Sequence, residues 1–185
     1  TLISLILGLL EPTKGKIEID GIDLRKKIIP WQRNIGYVPQ SVYLIDDTIS
    51  QNIAFGISPD QIDMKKIEKA IEAAQLKKFI DTLRDKTDTI VGENGVRLSG
   101  GQIQRIGIAR ALYHDPSVVV FDEATSSLDY QTEKELMNDI DKLKKNKTLI
   151  IIAHRLVTVE KTDYLIKIES GEIIKQGKPE EVLNK

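Results

Sequence analysis

The sequence feature that constrains the fold most is a pair of continuous apolar runs, rich in β-branched residues, at residues 117–121 and 148–153. Such runs indicate strands covered on both faces, as in the parallel sheets of α/β proteins. Between them Leu136, Ile140 and Leu143 recur at helical spacing, which predicts a helix with these side chains facing inward. The order strand, helix, strand therefore predicts an α/β fold with a parallel sheet at its core.

The rest of the chain divides by hydrophobic periodicity and by its glycine and proline residues. Residues 2–10 are apolar on nearly every face and predict a buried helix. Helical periodicity dominates residues 41–110, which we interpret as a helical subdomain inserted into a core made of residues 1–40 and 111–185. The other predicted elements are strands at 16–20 and 35–38, helices at 63–76 and around 79–83, a hairpin of 164–168 with 172–176, and a closing helix at 179–183.

The composition excludes several classes of protein. The 185 residues are 41% hydrophobic and 30% charged, which is typical of a folded globular domain. A net charge of −1 gives no indication of a general nucleic-acid binder. The chain has no cysteine, which excludes disulfides and thiolate metal sites. Its longest apolar run, residues 2–10, is far shorter than the ~20 residues that span a bilayer.

Three of the predicted strands end in polar side chains: Gln40 after the first, Asp122 and Glu123 after the second, and His154 after the third. In open parallel sheets ligands bind beyond the carboxyl ends of the strands, so we expect these side chains to share a site. Glu123 is suited to orient and deprotonate a water molecule. Taken singly, the residues leave open a solvated acidic pair, a polar strand cap at Gln40 and a structural histidine.

A glycine-rich helix start lies in residues 98–112, which read LSGGQIQRIGIARAL. Ser99 is suited to cap the helix, while Gly100 and Gly101 would let a ligand approach the main chain closely. The free N–H groups and partial positive charge of a helix N-terminus favour a phosphate. The alternative is an ordinary capped helix that follows a glycine turn.

The string LSGGQ, followed by QR and ARAL, resembles the signature motif of ATP-binding cassette (ABC) ATPases. The resemblance implies a P-loop NTPase (RecA-like) parallel sheet core with an inserted α-helical subdomain, and ATP and Mg²⁺ as cofactors. It also implies that Ser99, Gly100, Gly101 and Gln102 contact the nucleotide held by the opposite subunit of a dimer.

Catalytic motifs of the same family are matched at the ends of the later strands. Asp122 looks like the Walker B aspartate, which coordinates Mg²⁺ through water. Glu123 then stands in the place of the catalytic base. His154 is similar to the switch histidine, which contacts the γ-phosphate and holds the catalytic glutamate, although Val157 stands where many members carry serine.

Two more positions resemble nucleotide-binding loops of the family. Gln40, in the string YVPQ, resembles the Q-loop glutamine, which touches the Mg²⁺ and the water. Asp129 lies in a segment similar to the D-loop, with Ser126 where alanine is common. Asp129 is also a plausible helix N-cap, and the two roles are compatible.

The phosphate-binding motif G-x-x-x-x-G-K-[ST] does not occur in the chain. Thr1 and Leu2 resemble the two residues that follow this Walker A loop in the family, so we expect the N-terminal part of the core to be missing. Without the lysine and the backbone nest that hold the β- and γ-phosphates, we expect the isolated chain to bind ATP weakly or not at all.

Two strings favour an exporter or flippase within the family. Residues 44–53 resemble the segment after the Q-loop in exporters, and residues 89–95 resemble an exporter-specific loop, with Asn94 where arginine is frequent. The resemblance implies a second nucleotide-binding domain in a homo- or heterodimer and a transmembrane domain fused upstream, at the cytoplasmic face of the inner membrane. Gln40 and Glu93 would couple the two domains. An importer ATPase and a soluble non-transport ABC ATPase remain the alternatives, and no nucleic-acid partner is expected.

Overall fold

The computed structural model describes residues 1–125, 128–153 and 159–183, and the chain divides into two compact units, residues 1–150 and 151–185. In the first unit, β1 (Glu18–Ile19) and β2 (Ile22–Asp23) form a short antiparallel hairpin. The central sheet has the order β3-β4-β5, with β3 at Ile35–Val38, β4 at Val118–Asp122 and β5 at Thr148–Ile152. The α/β fold with a parallel sheet predicted from the sequence is confirmed.

Strand β4 lies in the middle of this sheet and forms the centre of the core. It pairs in parallel with β3, so that Val38 lies opposite Phe121. Val119, Val120 and Phe121 are at most 1% exposed. The parallel register is what places the carboxyl ends of β3 and β4 at the same edge of the sheet.

Two α-helices precede β3, four lie in the segment between β3 and β4, and one connects β4 to β5 in the described part of the chain. Their bounds are α1 (Leu2–Ile6), α2 (Ile28–Arg33), α3 (Ile49–Ile53), α4 (Met64–Ala73), α5 (Lys77–Thr82), α6 (Gly100–Leu112) and α7 (Tyr130–Leu143). Helix α4 begins where expected because the Asp63 side chain accepts a hydrogen bond from the Lys65 backbone N–H at 3.0 Å. Its buried residues, Ile67, Ala70 and Ile71, form one apolar stripe.

Helix α6 is the element that joins the sheet to the other helices, because it contacts β3, α3, α4 and α7. Two glycines allow this close packing. A Cβ atom on Gly36 of β3 would lie 2.5 Å from the backbone oxygen of Ala111. A Cβ atom on Gly107 of α6 would lie 2.5 Å from Val42 Cγ2. At Gly36 the strand therefore meets the backbone of α6, and at Gly107 the helix meets the Val42 side chain in the segment after β3.

The second unit contains a hairpin and a short helix. Strands β6 (Leu165–Glu169) and β7 (Glu172–Gly177) pair antiparallel, and the turn between them places Ser170 and Gly171 at φ 51° and 83°. Helix α8 (Pro179–Leu183) follows. Both elements match the sequence-based expectations. Among the described residues of the whole chain, no helix is both long enough and apolar enough to cross a bilayer.

Two expectations about burial were wrong. The predicted buried helix 2–10 ends at Ile6, and Leu2, Leu9 and Leu10 are each at least half exposed. It ends early because Gly8 turns the chain with φ 68° and because Trp31 Nε1 donates to the Ile6 carbonyl at 2.7 Å. Strand β5 is exposed at its start and only half-buried beyond it, because it lies at one end of the three-stranded order.

Candidate functional site

The carboxyl ends of β3 and β4 bring three of the predicted site residues together. Gln40 follows β3, Asp122 ends β4 and Glu123 comes next. The Gln40 side-chain amide donates to Glu123 Oε2 over 3.0 Å, across 83 positions of sequence. Gln40 is exposed and the two carboxylates are half-buried, so the group is reachable from solvent.

Tyr37 also belongs to this group, although the sequence did not single it out. Its hydroxyl donates to Asp122 Oδ2 at 3.0 Å. Burial, and then the hydrogen bond with Asp122, raise the pKa of Tyr37 above its ordinary value. The hydroxyl therefore stays protonated at neutral pH and keeps its donor on the carboxylate. The available signal was the parallel pairing of β3 with β4, which sets Tyr37 opposite Val120, two residues before Asp122.

Gln104 of α6 is a second residue that the sequence did not single out. Its side chain is 3% exposed, and Nε2 donates to the backbone carbonyl of Gln40 at 3.1 Å. This contact joins the middle of α6 to the loop that carries the Gln40 side chain. The position of Gln40 therefore depends on α6 as well as on β3.

The N-terminal tip of α6 has the capped form that its sequence predicts. The Gln102 N–H donates to Ser99 Oγ at 3.3 Å, and the Ser99 N–H donates to Gln102 Oε1 at 2.8 Å. Ser99 and Gly100 are exposed. A Cβ atom on Gly101 would lie 2.8 Å from Thr132 Cγ2, at the start of α7. A side chain at 101 would therefore have to displace Thr132, so packing within this chain also favours glycine there.

Asp129 is the N-cap of α7. Its carboxylate accepts from the Thr132 hydroxyl at 2.6 Å and from the Thr132 N–H at 3.1 Å. These hydrogen bonds, the hydroxyl first, lower the pKa of Asp129 below its ordinary value. Because Thr132 also lies against Gly101, Asp129 and the α6 tip form a second group of predicted site residues. The remaining one, His154, lies outside the described residues, as do Ser126 and Val157.

The two strings that favoured an exporter are neighbours in space. Thr48 and Ile90 form an antiparallel bridge, and the Ile49 N–H donates to the Thr89 carbonyl at 3.0 Å. Beyond the bridge, Glu93 is exposed on a short turn, Glu93–Gly95. Residues 44–53 and 89–95 are therefore joined by backbone pairing and are not two separate loops.

The parallel sheet, with an acidic residue at the end of its central strand, defines a class: the chain has the fold of a P-loop NTPase. The sequence profile of the ABC transporter family matches residues 1–126. The chain belongs to the ABC transporter family.

Known proteins agree with this assignment along the whole chain. The ATP-dependent lipid A-core flippase of Ralstonia nicotianae is 41% identical over 187 residues, which cover 100% of this chain and 32% of the relative. ABC transporter B family member 21 of Arabidopsis thaliana is 41% identical over 99% of this chain and 14% of its own length. A solved bacterial Atm1-family ABC exporter with ATP bound superposes with a TM-score of 0.86 at 35% identity, covering 98% of this chain and 32% of that one. The chain spans about a third of the flippase and of the exporter.

Proposed function

We propose that the chain is the ATP-hydrolysing, nucleotide-binding domain that powers export or flipping of a substrate across a membrane. The observation that carries this proposal is the hydrogen bond from Gln40 to Glu123, beside Asp122, at the carboxyl edge of the sheet. Relatives named as a flippase and an exporter favour this function over an importer ATPase and over a soluble non-transport ABC ATPase.

The residues at the sheet edge fit a magnesium–nucleotide complex. Mg²⁺ in nucleotide sites is held by one or two carboxylates together with phosphate oxygens and water. We assign Asp122 to the ion, with Gln40 as the second protein group. When bound, the ion neutralises charge that develops on the transferred phosphoryl group.

Glu123 is proposed as the general base of hydrolysis. Its carboxylate would accept a proton from the attacking water, while the amide of Gln40 holds the carboxylate in one orientation. Tyr37 does the same for Asp122 through its hydroxyl. His154 is proposed to contact the γ-phosphate. Gln40, Tyr37 and His154 thus hold or orient the reacting groups, and Glu123 accepts the proton. No covalent intermediate with the protein is required.

We propose a second nucleotide-binding domain, in a homo- or heterodimer, as the partner of the α6 tip. Ser99, Gly100, Gly101 and Gln102 would close on nucleotide held by that partner, and Asp129 would lie at the same interface. The exposure of Ser99 and Gly100 at the N-terminus of α6 supports this assignment, because the partial positive charge of a helix N-terminus favours phosphate.

A membrane domain is the other proposed partner, which places the chain at the cytoplasmic face of the membrane. Gln40 and Glu93 are the residues proposed for coupling, since Gln40 touches the base Glu123 and Glu93 is exposed beside the paired exporter strings. Closure of two domains on ATP would move the membrane domains, and hydrolysis would reset them.

The substitution Glu123→Gln in the complete transporter tests the proposal. The variant keeps the shape of the side chain but loses its basicity, so we expect MgATP binding to persist and turnover to fall by about 10²–10⁴-fold. Glu135→Gln, on the exposed face of α7, is the matched control and should hydrolyse ATP like the wild type. Turnover by Glu123→Gln equal to that of the control would remove Glu123 from the catalytic role.

A further inference from the structure

The backbone of Glu123 has an unfavourable conformation. Its φ is 48°, in the left-handed region, which residues other than glycine seldom occupy. Such a conformation persists only when the surrounding structure holds it, and it is common at functional sites. The side chain is held at its far end by Gln40. The main chain requires a second support on the side that leads away from β4.

That support lies two residues further on. Ala124 and Thr125 are buried, at 3% and 9% exposure. The Thr125 hydroxyl donates to Glu133 Oε1 at 2.9 Å, and Glu133 is itself only 6% exposed. The Thr125 carbonyl also accepts from the Leu128 N–H at 3.1 Å, so both the side chain and the main chain of Thr125 are tied down.

Glu133 is a rigid anchor because of its place in the fold. It lies in the first turn of α7, whose start is capped by Asp129. Further along the same helix, Leu136 and Ile140 are at most 2% exposed in the core. A side chain on such a helix has little freedom to move. A buried hydrogen bond to it therefore transmits the position of α7 to the segment just after Glu123.

We infer that Thr125 and Glu133 are positioning residues for ATP hydrolysis. Their hydrogen bond holds the left-handed turn at Glu123 and so aims its carboxylate at the water. The inference rests on the proposed role of Glu123 as the base. Neither residue touches the reacting atoms; both act through the backbone of Glu123.

The test measures kcat and KM for MgATP in the complete transporter. Thr125→Val keeps the shape but removes the hydroxyl, and Glu133→Leu removes the acceptor. Because a misplacement of about 1 Å can lower turnover ~10²-fold, we expect kcat to fall by about 10–100-fold in each, with KM nearly unchanged. Thr125→Ser and Glu133→Gln keep a donor and an acceptor and should restore most of the turnover. The double variant Thr125→Val/Glu133→Leu should be no slower than the slower single variant.

Ser117→Ala is the matched control, because Ser117 Oγ accepts a hydrogen bond from Asn34 Nδ2 at the opposite end of β4. It should lower stability without the loss in kcat. If Thr125→Val does not yield folded transporter, Thr125→Ala takes its place, since it cannot overpack the site.

Three results would overturn the inference: a kcat for Thr125→Val equal to that of Ser117→Ala, a loss in Thr125→Ser as large as in Thr125→Val, or effects that multiply in the double variant. Failure of the proposed function is a different result, namely no ATP hydrolysis by the wild-type transporter, whereas wild-type turnover by Glu123→Gln removes only the base role on which the inference rests. If Glu123→Gln is inactive while Thr125→Val is normal, only the positioning role is lost.

Discussion

The close approach of β3 to α6 makes Gly36→Ala a quantitative test of the packing. The new Cβ atom would lie 2.5 Å from the Ala111 carbonyl oxygen and 3.0 Å from Pro116 Cγ. A backbone oxygen cannot rotate away, so helix and strand must separate. Overpacking of this kind costs about 1–3 kcal/mol. Replacing glycine by alanine also reduces the entropy of the unfolded chain, which raises the free energy of unfolding by about 0.4–1 kcal/mol. Because the clash is with main chain, we expect the upper part of the range, a net loss of about 2 kcal/mol.

Urea unfolding measures this loss through the fluorescence of Trp31, the only tryptophan in the chain. Trp31 reports on the first unit because its Nε1 is bound to the Ile6 carbonyl there. For a chain of this size a loss of ~2 kcal/mol lowers Tm by about 4–8 °C. Gly100→Ala is the control: its Cβ would meet Leu128 Cδ2 at an ordinary 3.5 Å, so stability should change by less than about 0.5 kcal/mol. If Gly36→Ala were as stable as this control, the backbone contact could not be as tight as the structure shows.

Two further predictions concern hydrogen bonds made by single polar residues. Asn52 is fully buried; its side-chain amide donates to the Ile45 carbonyl, and its side-chain oxygen accepts from the Ile45 N–H and from Arg110. Asn52→Ala leaves these buried groups without their partner, so it should lower the free energy of unfolding by about 2–4 kcal/mol in the same urea assay. A loss below about 1 kcal/mol would contradict this prediction. The hydrogen bond and charge of Arg25 lower the pKa of Asp23 from 3.8 to about 2, so its stabilisation is complete above the unfolded pKa and is lost as the pH falls from about 4 to about 2. Asp23→Asn should therefore flatten the stability–pH curve in that window, and an unchanged curve would show that the pairing with Arg25 does not stabilise the fold.

Elements with a local signal were predicted well from the sequence. Helix α4 begins after the capping residue Asp63, and α6 begins after Ser99, in each case through hydrogen bonds within one turn. The hairpin of β6 and β7 is likewise defined by its turn at Ser170 and Gly171. Caps and turns depend on residues that are neighbours in the chain, so the local sequence contains all the information needed to predict them.

Burial was predicted less well because it depends on what covers a segment. The apolar residues 2–10 and the run in β5 carry the same hydrophobic signal as β4. Of these three segments, as far as the structure describes them, only β4 has a strand on each side and is fully buried at its centre. A run of apolar residues indicates that burial would be favourable, but the run is buried only where another strand or helix packs against it.

The site divides in the same way. The residue types of the site are read directly from the sequence. That Gln40, Asp122 and Glu123 meet was predicted from the rule that ligand sites lie at the carboxyl ends of parallel strands. Tyr37 and Glu133 carried no such signal. Tyr37 reaches Asp122 across 85 positions, and Glu133 is an unremarkable acid in an amphipathic helix until the fold buries it against Thr125.

The amino-acid sequence by itself determined the family, the α/β order of the main strands and helices, and the starts of α4, α6 and α7, but it did not predict β2, α2 or α3. The predicted features depend on residue types at short or regular spacing, which the chain displays directly. Only the tertiary structure decided which side chains support Asp122 and Glu123 and how tightly β3 meets α6. Those contacts join residues far apart in the chain, and their distances are set by the packing of whole elements, where a difference of a few tenths of an ångström separates a contact from a clash.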